Sequence, residues 1–225
     1  LSNESIKAIY REIMSVALAL EKPLKIAYFG PPATFTHIAA LKKFGSSVGY
    51  ADCGSIKDVF AEVEKGRSDY GVVPIENSTE GAVDHTLDMF VESDLKICSE
   101  VILDISHNLL AKCKLDSIKK VYSNHQAFAQ CRLWLESNLP GVELIEVSST
   151  SRAAEITSKE KYASAIASKL AASIYGLDIA ASSIEDSAHN VTRFLVIGKS
   201  IPKPTGKDKT SILFSIKDRI GALHD

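Results

Sequence analysis

The chain has 225 residues, of which 45% are hydrophobic and 24% charged, and its formal net charge is −2. These fractions are typical of a globular protein with a real core, and they exclude a disordered or collagenous chain. A pI near 6.3 argues against a nucleic-acid partner. No run reaches the roughly 18 apolar residues of a membrane helix, so we expect no membrane partner.

The four cysteines are scattered, without a CxxC pair or metal-ligand spacing to the six histidines. Thiols arranged in this way are more often buried small apolar side chains in a reducing compartment. Glu4 and Glu12 stand where a secretion signal would carry basic residues. We therefore expect a cytoplasmic protein.

The first 21 residues carry apolar side chains at spacings of three and four, which predicts an amphipathic helix ended by Lys22-Pro23. A single helix with an apolar stripe has no sheet of its own to cover. We therefore expect this apolar stripe to pack against a partner elsewhere.

From Leu24 onward, short apolar segments alternate with helical patterns. Strands are predicted at 24–30, 49–53, 70–76, 117–124, 142–148 and 192–199, and helices at 34–44, 55–66, 78–93, 125–138, 149–160 and 169–176. Residues 95–111 are expected to be extended, while 162–168 fit a strand or a helix. A strand at 210–218 and a helix start at 219–225 follow a linker rich in Pro, Gly and Lys.

This alternation predicts an α/β fold with open, mostly parallel sheets and helices on both faces. Long extended segments meet near 104–112. We therefore expect two lobes with a cleft between them.

Small hydroxyl and amide residues precede four of the predicted helices: Thr34-Phe35-Thr36, Asn77-Ser78-Thr79, Ser123-Asn124-His125-Gln126 and Ser148-Ser149-Thr150-Ser151. Such residues commonly cap helices. Helix N-termini that converge at the carboxyl ends of strands can also bind an anion. For a single loop capping is favoured, whereas four such loops in one two-lobed protein favour a ligand site.

Two further segments carry candidate ligand-binding groups. A buried strand runs through Pro74 into Glu76-Asn77-Ser78, whose side chains either bind a substrate carboxylate or hydroxyl, or cap a helix with Glu80 in its first turn. Thr192 offers a hydroxyl donor on the last core strand, and Arg193 could pair with a carboxylate. Nucleotide-binding, zinc-protease and esterase motifs do not occur.

Five segments resemble, in the same order, the signature segments of the prephenate dehydratase family. They are GPPATFT (30–36), GVVPIENSTEGAVDHTLD (71–88), SNHQAFAQC (123–131), SSTSRAAE (148–155) and NVTRFLVIG (190–198). The resemblance implies a periplasmic-binding-protein-like (type II) fold with two lobes. It also implies decarboxylative dehydration of prephenate to phenylpyruvate in phenylalanine biosynthesis, without a cofactor or metal.

The resemblance assigns roles to particular residues. Thr192 would donate a hydrogen bond to the leaving hydroxyl, with Asn77, Ser78 and Gln126 as the other catalytic residues. Substrate-binding residues would be Thr34, Phe35, Thr36, Glu76, Ser123, Ser149, Thr150, Ser151, Arg193 and Phe194. The family usually has glycine at the position of Ala33, and alanine tolerates a positive φ poorly. It also usually reads Ser-His-Pro-Gln at 123–126.

The ends of the chain resemble neighbouring domains. Residues 1–22 are similar to the last helix of a chorismate mutase domain, and 209–225 to the start of an ACT regulatory domain. Between them lie a dehydratase domain at 23–199 and a linker at 200–208. Lobe 1 is expected at about 23–103 and 182–199, and lobe 2 at about 104–181. By analogy, the protein would be a homodimer, and L-phenylalanine would act only on a chain with a complete ACT domain.

Two other functions remain open. A non-catalytic solute-binding module for a small anion would also have two lobes around a cleft, although the absence of a secretion signal and the Thr192-Arg193-Phe194 segment count against it. Arogenate, the aminated analogue of prephenate, is a second possible substrate. The mutase-like first helix favours prephenate, because that fusion would produce it.

Overall fold

A computed structural model of the chain describes residues 2–21, 23–187 and 189–212. The predicted strand at 210–218 lies largely outside these residues, and the predicted helix start at 219–225 lies wholly outside them. The first element is helix α1 (Asn3–Glu21), as its apolar periodicity predicts. Within the described part of the chain, no helix is long and apolar enough to cross a bilayer.

Lobe 1 is built on a six-stranded sheet with helices α2 (Phe35–Phe44), α3 (Ile56–Glu64) and α4 (Asp84–Glu92). Its strands are β1 (Lys25–Phe29), β2 (Gly49–Cys53), β3 (Tyr70–Asn77), β4 (Gly81–Ala82), β5 (Lys96–Asp104) and β11 (Val191–Gly198). The order is β2-β1-β3-β11-β5, with β4 paired to β3. Two apolar clusters cover the two faces of this sheet, one beneath α2 and the other beneath α3 and α4.

Lobe 2 is built on a five-stranded sheet in the order β10-β6-β9-β7-β8. Its strands are β6 (Asn108–Ala111), β7 (Lys120–Ser123), β8 (Glu143–Glu146), β9 (Ala163–Ala167) and β10 (Asp178–Ala181). Its helices are α5 (His125–Gln130), α6 (Arg132–Asn138), α7 (Thr150–Thr157) and α8 (Lys169–Tyr175), with a 3-10 turn at Leu115–Ser117. The ambiguous segment 162–168 is a strand, and all five residues of β9 are buried.

The chain crosses between the lobes twice, from β5 to β6 and back from β10 to β11. Where the crossings run side by side, the Ile105 N–H donates to Asn190 O at 2.8 Å and the Ile184 N–H to His107 O at 2.9 Å. The two-lobed α/β architecture predicted from the sequence is therefore confirmed.

The expectation of mostly parallel sheets is wrong, because both sheets are mixed. In lobe 1, β1 pairs in parallel with β2 and β3, while β11 is antiparallel to β3 and β5. In lobe 2, β7 is parallel to β8 and β9, while β6 is antiparallel to β9 and β10. The cause is the double crossing: β5 leaves lobe 1 where β11 re-enters it, so adjacent strands there must run in opposite directions.

Three local predictions also differ from the structure. The helix predicted at 78–93 begins only at Asp84, because the preceding residues turn and form β4. The helix predicted at 125–138 is two helices separated at Cys131, whose φ of −118° and ψ of 15° are not helical. Strand β10, which no prediction included, pairs with β6 at the edge of the lobe 2 sheet.

Candidate active site

A cavity of about 480 Å³ lies between the two lobes. Lobe 1 contributes the loop after β1, the end of β3 and strand β11, while lobe 2 contributes the loops that follow β7 and β8. The carboxyl ends of β1, β3, β7 and β8 thus face a common space. This is where α/β folds place ligands.

Nine of the fourteen residues assigned to the site by resemblance line this cavity. They are Thr34, Phe35, Thr36, Asn77, Gln126, Ser149, Thr150, Thr192 and Phe194. They come from both lobes and from positions far apart in the chain. The structure therefore brings most of the predicted set together.

Arg193 and Glu76 do not line the cavity, because neighbouring residues of a strand point to opposite faces of the sheet. Arg193 follows Thr192 on β11, and its Nε donates to Glu100 Oε2 at 2.8 Å. Arg193 Nη1 lies 3.9 Å from Glu76 Oε2 on the neighbouring strand. The structure thus places this arginine in an ion-pair cluster behind the cavity.

The three remaining predicted residues are serines that hold the walls of the cavity in place. Ser78 Oγ donates to His189 O at 3.1 Å and accepts from the Val191 N–H at 2.9 Å, which ties the end of β3 to the start of β11. The buried Ser123 hydroxyl donates to Ile166 O at 3.0 Å, which joins β7 to β9. Ser151 donates to Pro32 O across the lobes.

Thr192 and Asn77 form the polar centre of the cavity. Asn77 Oδ1 accepts from the backbone N–H groups of Thr79 at 2.9 Å and Glu80 at 3.1 Å. These two backbone donors fix the orientation of the amide, so Asn77 Nδ2 faces Thr192 and donates to its Oγ1 at 2.6 Å. The Thr192 hydroxyl therefore accepts from the protein, and its own hydrogen has no acceptor among the described residues.

A chain of hydrogen bonds continues from Asn77 into lobe 2. Asn77 Nδ2 also donates to Asn190 Oδ1 at 2.9 Å, and Asn190 Nδ2 donates to Gln130 Oε1 at 2.9 Å. Gln130 Oε1 lies 2.8 Å from His107 Nε2. Because this amide oxygen can only accept, His107 carries its proton on Nε2.

His107 is a buried histidine whose other ring nitrogen, Nδ1, has no hydrogen-bond partner within the described ranges of the chain. Burial lowers the pKa of His107, although the hydrogen bond to Gln130 opposes this shift. Its ring also packs edge-on against Phe35, with the ring centroids 5.6 Å apart. Burial thus disfavours the charged form of this imidazole.

The set assigned by resemblance does not include several residues that line this cavity, among them His107, Gln130, Asn190, Glu80 and Asn124. Gln130 and Asn190 stood inside two of the quoted signature segments, so their polar side chains were a usable signal. His107 offered no local signal, because its role depends on contact with a helix 23 positions away.

The cavity lining includes no Lys or Arg among the described residues, and its one carboxylate is that of Glu80. An anionic ligand would therefore depend on neutral donors. The first turns of α2 and α7 provide them, because helix N-termini have free N–H groups and a positive dipole end. Thr34 and Ser149 also cap these helices, accepting from the N–H groups of His37 and Arg152. The capping and ligand-site interpretations are thus compatible.

Comparison with known proteins shows which family the chain belongs to. The family model for prephenate dehydratase matches residues 26–202. The chain belongs to the prephenate dehydratase family. It is 56% identical to a bifunctional chorismate mutase/prephenate dehydratase from Aquifex aeolicus, over 98% of this chain but 61% of that protein. The chain thus spans less than two thirds of this bifunctional relative.

Two other family members cover the chain less completely. A prephenate dehydratase from Lactococcus lactis subsp. cremoris is 39% identical over 89% of this chain and 74% of its own length. A crystal structure of prephenate dehydratase from Arthrobacter aurescens in complex with L-Phe superposes with a TM-score of 0.82 at 32% identity, over 89% of this chain and 69% of that one. Sequence and structure therefore indicate the same family.

The backbone is strained at Ala33, where the family usually has glycine. Ala33 has a φ of +70°, in the left-handed region that disfavours residues with a Cβ. It is nevertheless fully buried and packs with the apolar cluster of lobe 2. Its N–H donates to His37 Nδ1 at 3.1 Å, and its carbonyl accepts from Ser168 Oγ at 3.0 Å. The loop is thus held by both lobes in spite of the strain.

The described part of the chain contains no group of three or more His, Cys, Asp or Glu side chains arranged to hold a metal ion. The cavity offers hydroxyls, amides, backbone N–H groups and aromatic faces. Such a site can orient a small polar anion and donate hydrogen bonds to a group that leaves it.

Proposed function

We propose that this chain converts prephenate to phenylpyruvate, water and carbon dioxide, as a step of phenylalanine biosynthesis in the cytoplasm. The observation that carries the proposal is the hydrogen bond from Asn77 Nδ2 to Thr192 Oγ1 inside the cavity between the lobes. It leaves the Thr192 hydrogen free to point at a bound molecule. A hydroxyl presented in this way suits a reaction in which a substrate hydroxyl departs.

The reaction needs a donor at one oxygen and a fixed orientation for two carboxylates. The C–O bond of the ring hydroxyl breaks, the bond from the ring to its carboxylate breaks, and that bonding pair completes the aromatic ring. One proton is taken up as the hydroxide leaves as water. A threonine hydroxyl is too weak an acid to supply a free proton, so Thr192 donates a hydrogen bond or relays a proton.

The carboxylates of prephenate are expected at the N-termini of α2 and α7. Thr34, Thr36, Ser149 and Thr150 line this part of the cavity. Gln126 donates from lobe 2, while Asn77, whose two amide hydrogens bond Asn190 and Thr192, orients the Thr192 hydroxyl. Phe35 and Phe194 provide apolar surface for the ring. The cavity volume of about 480 Å³ lies within the usual range for a small-molecule site.

We assign supporting roles to the five predicted residues that lie outside the lining. Ser78 and Ser123 hold β11 and β7, and Ser151 holds the loop at Pro32. Glu76 and Arg193 act through the ion pairs behind β11. In this assignment none of the five contacts substrate directly.

The two ends of the chain extend the proposal to a longer protein. Residues 1–22 correspond to the last helix of a chorismate mutase domain, 23–199 to the dehydratase domain, 200–208 to a linker and 209–225 to the start of an ACT domain. Bifunctional relatives that are longer than this chain support this division. Inhibition by L-phenylalanine would then need the complete ACT domain, and a homodimer is the expected assembly.

The proposal is tested by measuring phenylpyruvate formation from prephenate with wild-type chain, Thr192→Ala and Thr192→Ser. Thr192→Ala should lower turnover at least about 100-fold, the scale of a lost proton or hydrogen-bond donor. Thr192→Ser keeps the hydroxyl and should retain most of the activity. Unfolding in urea should be similar for all three proteins.

An enzyme-free blank is required, because prephenate aromatises spontaneously in acid. Wild-type turnover in Thr192→Ala would remove Thr192 from the mechanism. Binding of prephenate without turnover by the wild-type chain would favour the solute-binding alternative. A parallel assay with arogenate establishes which of the two substrates the site prefers.

A further inference from the structure

Helix α1 contacts lobe 1 through its polar face rather than its apolar one. Its large apolar residues Ile6, Ile9, Ile13 and Leu20 are all exposed. Among the described side chains of α1, only Ser15 is buried. At 100° per residue, Ser15 lies on the side of the helix opposite Ile6 and Ile13.

Three hydrogen bonds join this polar face to the loop that follows α2. Glu12 Oε2 accepts from the N–H of Ser46 at 3.1 Å and from its hydroxyl at 2.7 Å. One turn further along the helix, Ser15 Oγ accepts from the Ser47 N–H at 3.1 Å. The two acceptors on α1 therefore satisfy two successive backbone donors of lobe 1.

Gly45 allows the close approach that these bonds require. Its φ is +78°, and a Cβ at this position would lie 2.7 Å from Ser15 Cβ and 3.1 Å from Glu12 Oε1. From the lobe 1 side, the Tyr50 hydroxyl donates to the Gly45 carbonyl. The loop is thus held by its own lobe. The missing Cβ of Gly45 leaves room for the small Ser15 and for the hydrogen-bond acceptors on α1.

A helix that belonged to the core of lobe 1 would turn its apolar stripe inward. The observed polar contact instead resembles an interface between two domains. We infer that Glu12 and Ser15, with Gly45, Ser46 and Ser47, form a specific interdomain interface that holds α1 in a fixed orientation on lobe 1. This inference extends the domain division proposed at Lys22 and does not depend on the catalytic proposal.

The interface has a consequence for the junction between the domains. Only three residues separate the end of α1 from the start of β1. A connection this short, together with hydrogen bonds at Glu12 and Ser15, removes the rotational freedom of a flexible tether. Any domain that α1 completes is therefore held rigidly against lobe 1.

Amide hydrogen exchange of the full 225-residue chain tests this inference. Glu12→Ala should accelerate exchange at Ser46 and at the central amides of α1 by at least tenfold, and Ser15→Ala should do so at Ser47. Glu4→Ala is the matched control, because Glu4 is an exposed acid of the same helix that bonds Lys7. It should leave the loop after α2 unchanged.

Phenylpyruvate formation should be unchanged in all three variants, so failure of the catalytic proposal leaves the exchange result interpretable. The interface is refuted if Glu12→Ala and Ser15→Ala leave exchange at Ser46 and Ser47 at the wild-type rates. It is also refuted if Glu4→Ala accelerates these amides as much as Glu12→Ala, because the effect would then come from weakening the helix.

Discussion

Thr192 and Arg193 are neighbours in the chain with separate surroundings. Thr192 lies in the cavity beside Asn77, while Arg193 bonds Glu100 behind the sheet. Lys209 also bonds Glu100, and these two cations hold the pKa of the Glu100 carboxyl below its usual range. Because successive side chains of a strand point to opposite faces of the sheet, Thr192 and Phe194 line the cavity while Arg193 supports it from behind.

Ala33 shows how burial can compensate backbone strain at a single residue. Ala33→Gly relieves a left-handed penalty of about 1–2 kcal/mol, but it loses a buried methyl group worth about 0.8 kcal/mol and gains unfolded-state entropy. We expect the free energy of unfolding in urea to change by less than about 1 kcal/mol.

Ala33→Val is the contrasting variant, because a β-branched residue fits this φ worst. It should lower the free energy of unfolding by more than about 2 kcal/mol. Equal values for alanine and valine at this position would show that φ is not positive in solution. A large gain from glycine would show that the methyl group contributes little.

At the scale of elements, several helices begin where their own sequence places a cap. Thr34, Ser55, Asn124, Ser149 and Ser168 each accept a backbone N–H from the first turn of their helix. These boundaries could be predicted because capping involves residues within three positions of one another. Helix α6 is different, since its first N–H groups bond Asp186, about 50 positions away.

Ser168 combines a local cap with a contact between the lobes. Its hydroxyl accepts from the Ala171 N–H at 3.2 Å and donates to Ala33 O at 3.0 Å. Ser168→Ala should therefore cost about 2–3 kcal/mol of unfolding free energy, from the lost cap and a buried carbonyl left without its donor.

Ser55 is the matched control, because it caps α3 and its hydrogen bonds to described residues stay within lobe 1. Ser55→Ala should cost about 1 kcal/mol in the same urea titration. The difference between the two variants measures the contact from Ser168 to Ala33. Equal costs would mean that this contact adds nothing to the stability of the protein.

For the whole molecule, a buried histidine, His107, and a half-buried one, His37, connect stability to pH. Burial lowers the pKa of both His107 and His37 from the ordinary value of 6.5. The unfolded chain then binds protons more readily than the folded one, so stability is fully present above about pH 6.5 and falls as the pH drops below it. The slope should reach up to about 1.4 kcal/mol per pH unit for each histidine.

Urea titrations between pH 7.5 and 5.5 test this expectation and stay above the range in which most carboxylates titrate. The wild-type free energy of unfolding should decline across this interval. His107→Gln should reduce the slope, with the remainder assigned to His37. An identical slope in the variant would show that His107 is accessible to protons in the folded protein.

The local structure could be predicted from the sequence alone, including the first helix, most strands and helices, and the capping residues. These follow from periodicity and from contacts over a few positions. Which polar groups meet depends on the tertiary fold. The hydrogen bonds that run from Asn77 through Asn190 and Gln130 to His107 join residues separated by 113, 60 and 23 positions in the sequence. The direction of β11 also depends on the tertiary fold. It runs antiparallel to β3 and β5 because the chain returns to lobe 1 from lobe 2.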